Sequence, residues 1–218
     1  MTNAIATPRI YTPVENIIDF TIHALGFIAA GAASFWLLLH VSGAAVIASV
    51  SVYCAALLGL IVCSAAYHFT PRGALKEFLS RVEHGAIFVM IAGTYTPFAV
   101  NRLGFPVGGI ILASIWGLAA LGVTLKVFAP VRFDRLRIPL YLLMGWLIVT
   151  VMQPLSAHMA EVDFWLLVAG GILYTVGVIF HVFERLPYHR EIWHVFVVTA
   201  AALHFSAIAT EFMARAVG

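Results

Sequence analysis

The charged residues of this chain are gathered into a few short connections. Each apolar run between them is long enough to cross a ~30 Å hydrocarbon core as a helix of ~20 residues. Inside a bilayer the backbone has no water to bond, so such runs fold as helices whose peptide groups pair within the segment. Composition agrees: 62% of the 218 residues are hydrophobic and 10% are charged, against about 25% charged in a soluble domain. A soluble globular domain is excluded. The expected fold class is all-α, a polytopic membrane protein forming one domain over residues 1–218. The chain does not open with a basic stretch, a short apolar core and a small-residue cleavage site, so the first apolar run is expected to be retained as a span.

Seven transmembrane helices are expected. Thr12-Pro13-Val14-Glu15 reads as a capping box with proline at the first helical position. After a short N-terminal segment, about residues 1–15, the first span runs to about Val41, and the second from about Ala44 to His68. The connection Thr70–Arg81 carries Arg72, Lys76, Glu77 and Arg81, and the third span covers about Val82–Val100. Asn101–Pro106 makes a tight turn into a fourth span, Val107–Val127, followed by the basic loop Phe128–Arg137. The fifth span is Ile138–Leu155, the sixth Phe164–Phe183 after a loop with His158, Glu161 and Asp163, and the seventh Glu191–Met213.

Lysine and arginine give the orientation. With the N-terminus cytoplasmic, that side holds Arg9, Arg72, Lys76, Arg81, Lys126, Arg132, Arg135, Arg137, Arg185 and Arg190. Only Arg102 and Arg215 fall on the other side, a strong positive-inside bias that puts the N-terminus in and the C-terminus out. The same orientation brings Asp19, His23, His68, Glu83, His84, His181, His189 and His194 into one leaflet. Ionisable side chains are costly in lipid and usually face a bundle interior or cavity.

Four features bear on chemistry. Ser64 and His68 are four apart and share a helix face, so a hydroxyl stands one turn deeper than an imidazole. Equally, such a pair can be a helix-end histidine and a serine bonding its own backbone. Glu83 closes a capping box in Ser80-Arg81-Val82-Glu83, or else serves as a general base or ligand-orienting carboxylate. His194 opens an apolar run that needs no histidine, whereas His204, about 15 Å deeper, reads as a hydrogen-bonded core residue. Cys54 and Cys63, nine apart, lie on opposite faces of one helix and are not expected to bridge.

The segments SAAYH (Ser64–His68), EHGAIFVMIAGTYTPF (Glu83–Phe98), YLLMGWL (Tyr141–Leu147), GGILYTVGVIF (Gly170–Phe180) and RLPYHREIWHVFV (Arg185–Val197) carry a resemblance. The chain resembles the hemolysin III-like branch of the progestin and adipoQ receptor family, which includes the adiponectin receptors, and is more distantly similar to the alkaline ceramidases. The resemblance covers essentially the whole chain. It implies a seven-helix integral protein, here of the bacterial inner (plasma) membrane, with a zinc ion (Zn2+) near the cytoplasmic leaflet. In the family that zinc is held by the histidine of Ser-xxx-His and both histidines of His-xxx-His, which match His68 and His194 here, with Ser64 beside them.

Two positions depart from the pattern. The family's acidic residue is usually aspartate and here is Glu83, and the first histidine of His-xxx-His falls on Arg190. The third metal ligand is therefore assigned to His189, one residue early and about 140° round a regular helix from His194. A catalytic zinc takes three protein ligands and an open position, and His181, His84 and Glu83 stand as alternatives, as does a site with no third ligand. The function implied is a zinc-dependent hydrolase of a lipid amide or ester, with Glu83 and Ser64 as the acting side chains and a membrane lipid as partner. The alternatives are a ligand-responsive protein with structural zinc, or a cytolysin. No nucleic-acid partner is expected.

Overall fold

A computed structural model describes residues 11–134 and 136–213, with only the backbone of Val131 and Arg132. Arg9, Arg135 and Arg215 of the charge pattern lie outside the described residues. Every regular element among them is helical: α1 (Pro13–His40), α2 (Ala44–Phe69), α3 (Ala74–Asn101), α4 (Val107–Phe128), a single turn α5 (Pro130–Phe133), α6 (Arg137–Trp146), a 3-10 segment (Leu147–Val151), α7 (Met152–Ser156), α8 (Glu161–Val182) and α9 (His189–Met213).

The capping box expected at Thr12 is present. Thr12 Oγ1 accepts from the Glu15 amide at 3.2 Å, and Glu15 Oε2 accepts from the Thr12 amide at 2.8 Å. A second expected cap is absent. The helix expected from Val82 starts at Ala74, so Ser80 and Glu83 sit in its interior and Glu83 caps nothing. Gly73, with φ at +153°, makes the turn. The helix-forming stretch Ala74-Leu75-Lys76-Glu77 then propagates straight through charges that the sequence presented as a connection.

Among the described residues, six segments are long and apolar enough to cross a membrane: α1, α2, α4, Arg137–Ser156, α8 and α9. The remaining expected span lies in α3, which is 28 residues long but begins with Lys76, Glu77, Arg81, Glu83 and His84. The charges sit in its first turns, where Glu77 is exposed and Lys76 and Arg81 are half-buried. From His84 on the helix is packed: eleven of its residues are buried, against three of the 22 in α8, so this part of α3 meets more protein than α8 does. Gly93 lets it approach α2, since a Cβ there would stand 2.8 Å from Ala56 Cβ. The outward faces carry the opposite pattern, with Phe20, Leu25, Ile28, Ile172 and Ile179 exposed. An apolar exterior of this extent belongs against acyl chains, and the chain is an integral membrane protein.

The expected fifth span is broken within the bundle. Its 3-10 segment frees backbone groups that a helix would pair, and one buried side chain of α3 takes them up. The Tyr95 hydroxyl shares its one proton between the carbonyls of Met144 at 2.8 Å and Gly145 at 2.9 Å, and accepts from the Ile148 amide at 2.7 Å. Irregular backbone at this depth is tolerable only where protein satisfies it.

Candidate metal centre

Helices α1 and α9 begin, and α2 ends, at the same end of the bundle. Each presents two polar residues four apart on one face: Asp19 and His23, Ser64 and His68, Arg190 and His194. Helix α1 is inverted relative to a soluble amphipathic helix. Its buried stripe includes Glu15, Asp19 and His23, while Phe20, Leu25 and Ile28 face outward. Such an arrangement places the polar groups where other helices can use them.

One side-chain nitrogen from each of His23, His68 and His194 lies within 4.8 Å of the other two. The ring centroids are 4.6 Å apart for His23 and His194, 4.8 Å for His68 and His194, and 5.6 Å for His23 and His68. Asp19 orients two of the rings. His194 Nδ1 lies 2.6 Å from Asp19 Oδ1, and His23 Nδ1 lies 2.9 Å from the Asp19 carbonyl. With those protons on Nδ1, the lone pairs of both Nε2 atoms are free, the tautomer a metal ligand needs. Asp19 Oδ2 is buried without a hydrogen-bond partner, 3.6 Å from Arg190 Nε.

Ser64 and Glu83 adjoin the rings. Ser64 Oγ lies 3.0 Å from Glu83 Oε1 and 3.1 Å from His23 Nε2, so its single proton has two acceptors. A metal taking the His23 lone pair would leave that proton to Glu83. Glu83 Oε1 is also 3.3 Å from His68 Nε2. Lys76 fixes the end of α2 under His68, with Nζ donating to the carbonyls of Tyr67 at 3.0 Å, His68 at 3.3 Å and Thr70 at 2.9 Å. It thereby satisfies three of the carbonyls that a helix C-terminus leaves open.

The structure brings four of the five expected site residues together: Ser64, His68, Glu83 and His194. It places His189 apart. Because α9 starts at His189, the residue is held in the helix, about 140° round from His194. Its Nε2 lies 3.4 Å from the Tyr11 hydroxyl. The other candidates are also outside the cluster: His84 bonds Ser80 and Arg137, and His181 packs on Trp193 at 5.0 Å between centroids. His204 is the hydrogen-bonded core residue expected, with Nε2 3.0 Å from the Leu167 carbonyl, and Gly170 leaves room for its ring.

His23 is the residue that the motif reading missed. Its signal was present in the Asp19–His23 spacing on an otherwise apolar span. Arg190, in the position that resembled a ligand, bonds Glu191 Oε1 at 2.7 Å and Asn16 at 3.2 Å, and lies 3.9 Å from the centre of the Tyr11 ring.

A cavity of about 390 Å3 opens beside the cluster, with His23, Ser64, Glu83 and His194 at one end and largely apolar walls beyond. Of the stretch Gly93–Phe98, Thr94 and Tyr95 line it, while Phe98 joins the core. The chemistry of the donor set suits a metal: three buried or half-buried imidazoles, two with Nδ1 already engaged, and a carboxylate and hydroxyl within reach.

Comparison with known proteins agrees with this architecture. Residues 11–205 match the family model described as Haemolysin-III related. The chain is 36% identical over 197 residues to Hemolysin-3 of Bacillus cereus, covering 89% of this chain and 90% of that protein. It is 35% identical over 201 residues to the Hemolysin-3 homolog of Bacillus subtilis (strain 168), covering 91% and 94%. The Monocyte to macrophage differentiation factor of Homo sapiens, a more distant adiponectin-receptor-like relative, is 30% identical over 168 residues, covering 72% of this chain and 67% of its own length. A full-length match and a polar cluster inside an otherwise apolar bundle lead to one assignment: the chain belongs to the Haemolysin-III related family.

Proposed function

We propose that this protein is a zinc-dependent hydrolase that cleaves an amide or ester bond of a membrane lipid from within the cytoplasmic leaflet. The observation that carries the reading is the convergence of His23, His68 and His194 with Ser64 and Glu83 at one end of an apolar cavity. Seven spans with the N-terminus inside belong to the same reading. The lysine and arginine bias supports the orientation, and the 28-residue length of α3 supports the count.

Zinc bound by three imidazoles supplies Lewis acidity and makes water nucleophilic near neutral pH. The side chains then divide the work. The cavity receives the acyl chain and excludes bulk water. Glu83 takes the proton of the attacking water as its oxygen bonds to the carbonyl carbon. Ser64 donates to the oxygen on which charge develops. Collapse breaks the bond to nitrogen or oxygen, and the proton held by Glu83 passes to the leaving group. Asp19 keeps His194 in the ligating tautomer throughout.

The test is metal content by mass spectrometry on purified protein, followed by product analysis on diverse lipid extracts. About one zinc per chain, lost in both His68→Ala and His194→Ala, together with metal-dependent release of fatty acid, is the expected result. Bound zinc with no turnover on any lipid would leave the metal a tie between α1, α2 and α9. The names of the bacterial relatives raise a second reading, membrane lysis. Detergent-free lysis of cells by added protein would favour it over hydrolysis.

A further inference from the structure

Arg137, the first residue of α6, shares its nearest described carboxylate with a second cation. Its Nε is buried and has no hydrogen-bond partner among the described residues. Its Nη1 meets His84 Nε2, a neutral acceptor when the ring's Nδ1 proton goes to the Ser80 carbonyl. Its carboxylate neighbour, Asp134 Oδ1, is 3.8 Å away and is bonded directly by Lys126 Nζ at 2.5 Å. Two cations thus share the Asp134 carboxylate. The Arg137 side chain is 22% exposed, enough to be reached from outside.

Its position gives that charge a use. The next residue, Ile138, lines the cavity, and so does Tyr141 one turn on, whose hydroxyl donates to the His84 carbonyl at 2.8 Å. Glu83, the chain neighbour of His84, lines it from α3. These three residues put Arg137 next to the wall of the cavity beside the candidate metal centre, although Arg137 is not itself a lining residue. A planar guanidinium matches the paired oxygens of a phosphate, and basic pockets between membrane helices take anionic headgroups.

We propose that Arg137, supported by Lys126 and His84, forms a phosphate-binding subsite beside the cavity and selects a phospholipid. The phosphodiester sits on the guanidinium and the acyl chains enter the cavity. The inference rests on the cavity being the lipid site of the hydrolase reading, and it narrows the substrate class to phospholipids.

The experiment is competitive binding, read by native mass spectrometry, of phosphatidylglycerol and a diacylglycerol with the same chains to the full-length protein in neutral detergent. The wild type should favour phosphatidylglycerol by about fivefold or more, the effect of roughly one interfacial cation. Arg137→Gln should bring the ratio near one, and Arg137→Lys should keep part of it. Lys126→Gln provides an independent variant: it frees Asp134 to neutralise Arg137, so the preference should fall there too. Equal binding in the wild type, or an unchanged preference in both neutral variants, overturns the subsite. Displacement of phosphatidylglycerol by millimolar inorganic phosphate overturns the lipid assignment in favour of a free oxyanion. His68→Ala separates the two readings, because the preference should persist there without metal. Turnover confined to neutral lipids would keep the hydrolase and remove the subsite, and headgroup preference without any turnover would do the reverse.

Discussion

The two ends of the bundle treat buried polar groups in opposite ways. At the end where α3 and α9 finish, the buried charged groups pair off. Arg102 bonds Glu211, whose other oxygen accepts from the Ala160 amide at 3.1 Å. Asn101 donates to Ser49 Oγ at 2.9 Å, and Thr210 to Asp163 at 2.5 Å. At the histidine end, three imidazoles converge, Asp19 Oδ2 has no hydrogen-bond partner, and Ser64 has one proton for two acceptors. Unsatisfied polar groups are costly in a buried setting. The first end reads as a latch that holds helices α2, α3, α8 and α9 in place, and the second as a site kept open for a ligand.

That contrast can be broken by substitution. The largest expected effect is at the histidines: alanine at His23, His68 or His194 should remove zinc outright, measured as metal per folded chain. A sharper version combines His23→Ala with Arg190→His. If α1 has taken over a ligand position that α9 holds in the wider family, the second substitution should restore the metal that the first removes. Next comes Glu83→Gln, expected to lower any lipid turnover about 10²- to 10⁴-fold while zinc stays bound.

At the other end, Arg102→Ala should leave the metal untouched and cost about 3–5 kcal/mol of stability, because it removes the cation paired with the buried Glu211 carboxylate. Thermal unfolding in detergent with parallel metal analysis checks both halves. Smallest is Asp19→Asn, which keeps the shape but weakens the support of His194. A 10- to 100-fold loss of zinc affinity is expected, with the fold retained. An equal loss of stability at the two ends, with no metal effect at either, would erase the distinction.

Much of this was legible in the sequence, for reasons that particular residues make plain. Apolar runs are read by length, so the boundaries of α2 and α4 came out within a residue or two. The start of α3 did not, because Arg72, Lys76, Glu77 and Arg81 look like a connection, whereas the helix simply carries its charges beyond the apolar zone. Ser64, His68, Glu83 and His194 could be gathered from topology and resemblance. His23 could not be ranked above His189, since sequence spacing measures rotation about one helix and says nothing of which face meets a neighbour. The helical angle between His189 and His194 was known, but only the packing of α1 against α9 showed that His23 approaches the cluster from the other side.

The break in the fifth expected span bears on how the protein is made. Where α6 meets the 3-10 segment, the carbonyls of Met144 and Gly145 and the amide of Ile148 bond a side chain of another helix, so this stretch is poorly suited to enter lipid alone. Their partner, the Tyr95 hydroxyl, lies about fifty residues earlier in the chain. Synthesis proceeds from the N-terminus, so Tyr95 emerges from the ribosome before the carbonyls it will serve. The order of the chain thus sets the order in which the two partners become available, α3 first and the broken span that settles against it second.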